Sequence, residues 1–419
     1  MTVRRLSAVD AQTYWMSASV PSDQFLLYAF DGPVADLDRA LRVVRDRAQQ
    51  CADLGVCIED TEFWRYPVWA PREAGADQIV VHQLADATWQ GCLSAVAGLV
   101  GEQVDPRVQT WRLHVFPAVE GLLPEAGAGS VAVLQICHAL GDGIRASALA
   151  AHLFGRAGDV PALTAHRGRA AALPLRAFGA GRAYRRLVRD TDAGMVPPQA
   201  VPRPALRSNA RPAGACHLRS VVCARERFGG ATVTVGALAA ISAALAGHLR
   251  ELGEDPAQLG AEVPMAKAGP RLSYNHFGNV GVGLYPEREL SSRVRSIAAD
   301  LHQRRRRATH PAMAAEAAAL AAVPAPLLRW GVGKFNPEAR SSTVTGNTVV
   351  SSVNRGAKDL SFGDAQVVLT TGFPGLSPMM GVTHGVHGIG DTVAVSVHAA
   401  DSAIGDIDAY LERLERELR

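Results

Sequence analysis

The sequence predicts a mixed α/β (α+β) chain folded as two layered lobes that face each other. Its 419 residues exceed the ~250–300 at which a single hydrophobic core stops growing. Both halves hold similar inventories of helix-period and strand-period segments. Between them the composition shifts to Pro, Arg, Ala and Gly, with Pro197, Pro198, Pro202, Pro204 and Pro212 close together. These observations divide the chain into an N-terminal lobe over 1–160, a basic, Pro-rich crossover over 161–215 and a C-terminal lobe over 216–419.

In the first half, the apolar run Phe25 to Phe30 reads as a strand. A helix follows from about Asp36, because Leu37, Leu41, Val44, Ala48 and Cys51 recur on one face. Trp89 to Val100 is a second helix, Thr110 to Phe116 a strand, and Val131 to Cys137 a β-branched run suited to a strand covered on both faces. A short basic helix is expected inside the crossover. The second half opens on a helix from Thr232 to Leu252, stopped by Gly253. Next come a loop from Asn275 to Asn279 and a strand from Val280 to Leu284. Helices at about Ser292 to Arg307 and Ala312 to Ala322 follow, then strands at Asn347 to Val353, Gln366 to Thr371 and Asp391 to His398. No exact repeat or solenoid period is present.

The chemistry concentrates in His138-Ala139-Leu140-Gly141-Asp142-Gly143. After the buried strand, Ile144, Leu149 and Leu153 resume at helical spacing, so the hexapeptide is a tight strand-to-helix turn. Imidazole accepts a proton near neutral pH, which suits His138 to act as a general base on a hydroxyl. Asp142 is placed to brace the loop, by accepting backbone N–H bonds or by pairing with an arginine. Gly143 is expected to supply a dihedral that a side chain would resist. A core histidine beside a helix-capping aspartate is the competing reading of so short a pattern.

The hexapeptide resembles the HHxxxDG motif of the acyltransferases that include the wax ester synthase/diacylglycerol acyltransferase family and peptide-synthetase condensation domains. His138 matches the second histidine, and Cys137 stands where the first would be. Arg5 to Gln12 is similar to that family's opening segment. Val349-Val350-Ser351-Ser352-Val353-Asn354-Arg355-Gly356 occupies the place of its Ser-Asn-Val-Pro-Gly-Pro segment, without the Pro-Gly-Pro ending. Val393 to Asp406 and the charged helix Ile407 to Arg419 are similar to its last strand and helix. Thr232-Val233-Thr234-Val235 lacks the Asn-Asp pair that the family commonly has after Thr-Val. The resemblance implies a pair of chloramphenicol-acetyltransferase-like lobes with an active-site tunnel between them and the motif histidine at its middle. It also implies O-acyl transfer from acyl-CoA or a carrier-bound acyl chain, with coenzyme A thioester as co-substrate and no permanently bound cofactor. The acceptor is expected to be the hydroxyl of a small-molecule lipid or natural product. Cys137, Asn279, Ser351, Ser352, Asn354 and His384 are candidates for substrate contact, with Ser351, Ser352 and Asn354 as oxyanion donors.

Composition sets limits. A 48% apolar and 20% charged chain is globular, not disordered. A net charge of +3 does not argue for nucleic acid. No run offers ~20 consecutive apolar residues for a membrane span, and the N-terminus lacks an apolar signal region, so cytoplasmic residence is expected, with peripheral membrane contact left open. Cys51, Cys57, Cys92, Cys137, Cys216 and Cys223 make no CxxC pair and are expected as buried thiols. Arg182, Arg185, Arg186 and Arg189, and the run Arg304 to Arg307, are either solvated helix faces or a landing site for coenzyme A phosphates, an acidic carrier protein or an anionic membrane. Gly375 to Met379 is no nucleophile elbow, and Gly331 to Lys334 no phosphate loop. His384 and His387 sit among glycines in what reads as a loop, with no third metal ligand at a recognised spacing. Beside O-acyl transfer stand two further readings, a condensation-like amide-forming enzyme using a carrier-bound donor, and a lipid-binding protein without catalysis.

Overall fold

A computed structural model describes residues 4–122, 127–164 and 172–419; part of the predicted crossover, residues 165–171, lies outside this set. Two six-stranded mixed sheets organise the described residues. The first runs in the order Ser361–Phe362, Ala365–Phe373, Gln24–Phe30, Gly129–Ile136, Trp111–Val119, Ile79–Val81. All its neighbours are antiparallel except the last pair. The second runs Phe277–Gly283, Gly260–Ala266, Thr348–Asn354, Val382–Ile389, Thr392–Ala400, Cys216–Ala224, with two parallel pairings around Thr348–Asn354. A small sheet of Arg4–Arg5, Val68–Pro71 and Val56–Glu59 lies beside the first.

The strand Gly129–Ile136 is buried at every position, which is why its sequence carries no apolar-polar alternation. Its one long polar residue, Gln135, is neutralised inside the sheet. Its Nε2 donates to Asp23 and to the Glu102 carbonyl, and its Oε1 meets His114. One apolar cluster joins this sheet to the helices Leu37–Gln50 and Gly143–Leu153. Another wraps the helix Val233–Glu251 in the second lobe, and a third fills the other face of the first sheet, with Trp89–Val100 and Leu218.

Val233–Glu251 is long and apolar enough to cross a membrane by length and composition, but 67% of that window is buried inside the molecule. Thr232 caps it, accepting from the Val235 amide at 3.3 Å. The crossover helix is not short: Leu173–Asp192 spans 20 residues and packs on Pro311–Leu320. The Thr-His-Gly-Val-His-Gly segment is not a loop but the strand Val382–Ile389, paired on both sides. Gly385 reflects close approach between strands. A Cβ on Gly385 would stand 2.3 Å from the Gly372 carbonyl oxygen and 2.5 Å from the Ser396 hydroxyl.

Candidate active site

His138 begins a single 3₁₀ turn, His138–Leu140, directly after the buried strand, and the helix Gly143–Leu153 starts three residues later. The chain reverses this sharply through Gly141, where a Cβ would meet the Arg145 side chain at 2.9 Å. Asp142 is the N-cap, accepting from the Arg145 amide at 3.0 Å. Its other oxygen accepts from Arg271 at 2.8 Å and from the His276 amide at 3.0 Å. One carboxylate thus fastens the motif turn to a loop of the second half, with backbone N–H groups and an arginine both engaged. Gly143 has an ordinary helical backbone and is absent from the positive-φ residues. The expected special dihedral is therefore corrected. Space is what constrains it, because a Cβ there would lie 3.2 Å from Val353.

A second buried carboxylate completes the support. Asp10, 1% exposed, accepts from the amides of Tyr274 and Asn275, each at 2.9 Å. The Asn275 side-chain amide then donates both to Asp10, at 3.1 Å, and to the His138 carbonyl, at 2.8 Å. Burial pushes the Asp10 carboxyl up to about 6 against the pull of these hydrogen bonds. Arg145, fully buried, closes the arrangement by pairing with Asp53 at 2.8 Å and lying 3.6 Å above the Tyr274 ring. Sequence reading assigned no role to Asp10, Arg145, Arg271 or Asn275. Asp10 and Asn275 each lay in a segment it singled out.

The His138 ring lies stacked against Phe277, with centroids 5.8 Å apart. Burial lowers its pKa, opposed by its own carbonyl and Asn275 and, more weakly, by Asp142 and Asp10. Nδ1 is buried with no partner. Nε2 makes no hydrogen bond within the described residues, and His138 lines a cavity of about 1170 Å³ between the two sheets. Both lobes contribute walls: Phe25, Leu26 and Ser147 from the first, Val263, Met265, Val349 and Leu301 from the second.

Of the other expected site residues, Asn279, Ser351 and Ser352 face this cavity with His138, Asp142 and Gly143. Asn279 donates to Glu262 at 3.2 Å. Ser352 shares a 2.8 Å hydroxyl contact with Thr234, one of the residues standing where an Asn-Asp pair was expected, and the Ser351 hydroxyl has no partner among the described residues. Cys137 is buried and borders only a small niche beside His138. Asn354 and His384 do not reach the cavity. Asn354 turns outward and caps the Gly356 amide at 3.0 Å. His384 points behind the sheet, held at 2.8 Å by both Thr348 and Tyr410. The two-residue period of a strand explains this correction, since His387, three positions on, takes the opposite face and lines the cavity.

The arginine run separates by role. Arg304 and Arg307 donate to carbonyls of Pro198 and Pro197, and Arg306 to that of Met195, fastening the crossover. Arg305 is exposed and lines the cavity beside His302. Arg182, Arg185, Arg186 and Arg189 are all exposed along the crossover helix. Four cysteines are buried, Cys223 is intermediate and Cys216 exposed.

Residues 275–419 match the family model described as WS/DGAT C-terminal domain. No curated protein matches the chain. Among solved structures, it is similar to the wax ester synthase/diacylglycerol acyltransferase from Marinobacter aquaeolei VT8, at 18% identity and TM-score 0.65, covering 99% of this chain and 98% of that one. It is also similar to the starter condensation domain of rhizomide synthetase in complex with C8-CoA and Leu-SNAC, at 14% identity and TM-score 0.59, covering 100% and 93%. Another complex of that domain, with C8-CoA alone, matches at 14% identity and TM-score 0.59, covering 100% and 94%. The fold is therefore that of the paired-lobe acyltransferases and condensation domains.

Proposed function

We propose, for a chain whose residues 275–419 match the WS/DGAT C-terminal domain family, that this acyltransferase-type fold moves an acyl group from a thioester to a hydroxyl, with His138 as general base. The observation that carries the reading is His138 Nε2, unengaged, on the wall of a cavity of about 1170 Å³ built from both lobes. That volume lies just above the ~300–1,000 Å³ typical of small-ligand sites, and suits two substrates meeting end to end. C8-CoA bound in the condensation-domain neighbours supports a coenzyme A thioester as donor. Arg305, exposed on the cavity wall, suits its phosphates.

The steps follow from the site. Burial keeps the His138 imidazole neutral at physiological pH. With its proton on Nδ1, beside the residue's own carbonyl, Nε2 presents a lone pair to the cavity. It takes the acceptor O–H proton as oxygen bonds to the thioester carbonyl carbon. The resulting oxyanion collapses, the C–S bond breaks, and the imidazolium returns the proton to the thiolate. Ester and free thiol leave, and no residue of the protein is acylated. Ser351, whose hydroxyl is unpartnered, and backbone amides at the start of Gly143–Leu153 are the donors suited to the oxyanion. Asp142, Asn275 and Asp10 act by holding His138, not by touching substrate.

Thiol release from acyl-CoAs with panels of alcohols and amines, in native protein and His138→Ala, tests this. Acceptor-dependent release that falls by ~10²–10⁴-fold in the variant, with the ester identified by mass spectrometry, is expected. Equal rates in the two proteins refute His138 as base. An amide product from amines assigns the chemistry to the condensation type.

A further inference from the structure

Arg355 is a buried cation without an anion among the described residues. It is 5% exposed, lines the cavity that holds His138 and forms no ion pair with any of them. Its Nη1 donates to the carbonyls of Leu27 and Thr371, at 3.4 and 2.9 Å, and to the Thr370 hydroxyl. Nε has no partner and Nη2 none among the described residues. The guanidinium carbon lies 5.0 Å from the Tyr28 ring centroid. Beside it stands His387, also 5% exposed and on the same wall, with Nδ1 buried and unsatisfied. Gly372 lets both side chains pack closely against the strand, where a residue with a side chain would not fit. A Cβ there would stand 2.9 Å from Arg355 Nη2 and 3.2 Å from His387 Cε1.

No wall carboxylate is in position to neutralise Arg355. Asp142 is already paired with Arg271. Glu262 faces Val349 in the sheet, six residues before Arg355, or roughly 20 Å by strand rise. Asp23 lies four residues before Leu27, roughly 13 Å away along the strand, and is occupied by Val104 and Gln135. The remaining cavity groups, His138, His302 and Arg305, are neutral or cationic. A charge taken out of water without a partner is strongly disfavoured, and a guanidinium fork with free N–H groups matches a carboxylate.

We propose that the Arg355–His387 end of the cavity binds a carboxylate carried by one of the substrates. Resting on the acyl-transfer reading, this assigns an anionic class to the donor's acyl chain or to the acceptor. Sheet register sets Gly372 two strands across and four residues back from His138, roughly 16 Å by strand rise and spacing. The carboxylate therefore sits many bonds from the reacting carbon, at the far end of an extended substrate. The competing role is mechanical, because the Arg355 bonds to Leu27, Thr370 and Thr371 tie the second sheet to the first.

Two matched series, run on the full chain, separate these roles. Coenzyme A thioesters ending in methyl or in carboxylate are each offered a neutral alcohol, and methyl-ended thioesters are offered hydroxy acids or the corresponding alcohols. The first arm reads a carboxylate on the donor, the second on the acceptor. Native protein is expected to favour the carboxylate form roughly tenfold or more in kcat/KM in one arm, as a site with a buried charged donor rejects substrates lacking its partner. Arg355→Met lowers kcat/KM of the carboxylate-ended pair at least roughly tenfold more than that of the methyl-ended pair, abolishing the preference, while Arg355→Lys keeps part of it. Native protein indifferent in both arms overturns the proposal, as does an Arg355→Met loss equal for every substrate. If no thioester turns over, calorimetric titration with carboxy-ended and methyl-ended acyl pantetheines decides. Carboxylate-selective binding lost in Arg355→Met sustains the anion site while refuting acyl transfer, and equal binding refutes the anion site.

Discussion

Asp10 makes stability depend on pH in a direction opposite to most carboxylates. Its ordinary value of 3.8 rises to about 6 in the folded protein, with burial as the largest cause. The native state therefore holds this proton more tightly than the unfolded chain. The associated stability is full below pH 3.8 and is lost as pH rises through about 6. At about 1.36 kcal/mol per pKa unit, the gap amounts to about 3 kcal/mol. Buried histidines act the other way. Burial lowers His114 and His398 to about 4, so their contribution grows as pH rises toward 6.5. Asp10→Asn leaves those histidines in place, so the difference between the two proteins isolates the carboxyl. Urea unfolding, followed by tryptophan fluorescence from pH 3.5 to 7, is expected to show Asp10→Asn gaining about 2 kcal/mol on the native protein between pH 4 and 6. Its absolute level is set by the lost acceptor bonds, but the slope is set by the proton. Parallel curves would mean that the carboxyl titrates normally and that its hydrogen bonds outweigh burial.

Asp142→Ala removes a helix cap and leaves Arg271 without its carboxylate. A loss of about 3–5 kcal/mol is expected in thermal or urea unfolding, with Asp142→Asn retaining part of the cap. Because burial lowers the His138 pKa, the acid limb of kcat/KM is expected to fall with a midpoint below the ordinary 6.5, since the base works only unprotonated. A midpoint at or above 6.5 would contradict a buried base. Gly385→Ala drives a methyl into the Gly372 carbonyl and the Ser396 hydroxyl, and an overpacking loss of about 1–3 kcal/mol is expected by calorimetry. Arg305→Glu is expected to raise KM for acyl-CoA several-fold at low salt, with the difference shrinking as ionic strength rises.

Local pattern made much of this architecture legible. Trp89 to Val100 reads directly as a helix, and the pattern from Thr232 to Leu252 gives Val233–Glu251. The strand before His138 and the turn after it follow from composition and spacing alone, as do the two facing lobes, while the tunnel came from the family resemblance. What stayed hidden depends on partners distant in sequence. Nothing local ties Asp10 to Asn275, 265 residues away, or Asp142 to Arg271. The strand Val382–Ile389 was masked by glycines that only its neighbours explain, and this placed His384, instead of His387, among the candidates. Gly260–Ala266 and Cys216–Ala224 passed unnoticed because strands take their identity from pairing more than from propensity. Arg355 was visible only as a departure from an expected Pro-Gly-Pro segment, and its meaning required its place on the cavity wall beside Gly372 and His387.

The strand Ala365–Phe373, paired with Gln24–Phe30, bears on how the chain is made. During synthesis, Gln24–Phe30 emerges early and finds Gly129–Ile136, yet its other edge stays open until residue 373 has left the ribosome. That edge belongs to Phe25, Leu26, Leu27, Tyr28, Ala29 and Phe30, all buried at the end, and an open apolar edge recruits other chains. Growth at ~5–20 residues per second leaves it unpaired for many seconds. A nascent chain of this topology is exposed to edge-to-edge association for that interval, and fragments ending before residue 365 lack the strand that closes the edge. Expression yield is thus governed as much by the lateness of one strand as by the stability of the finished molecule.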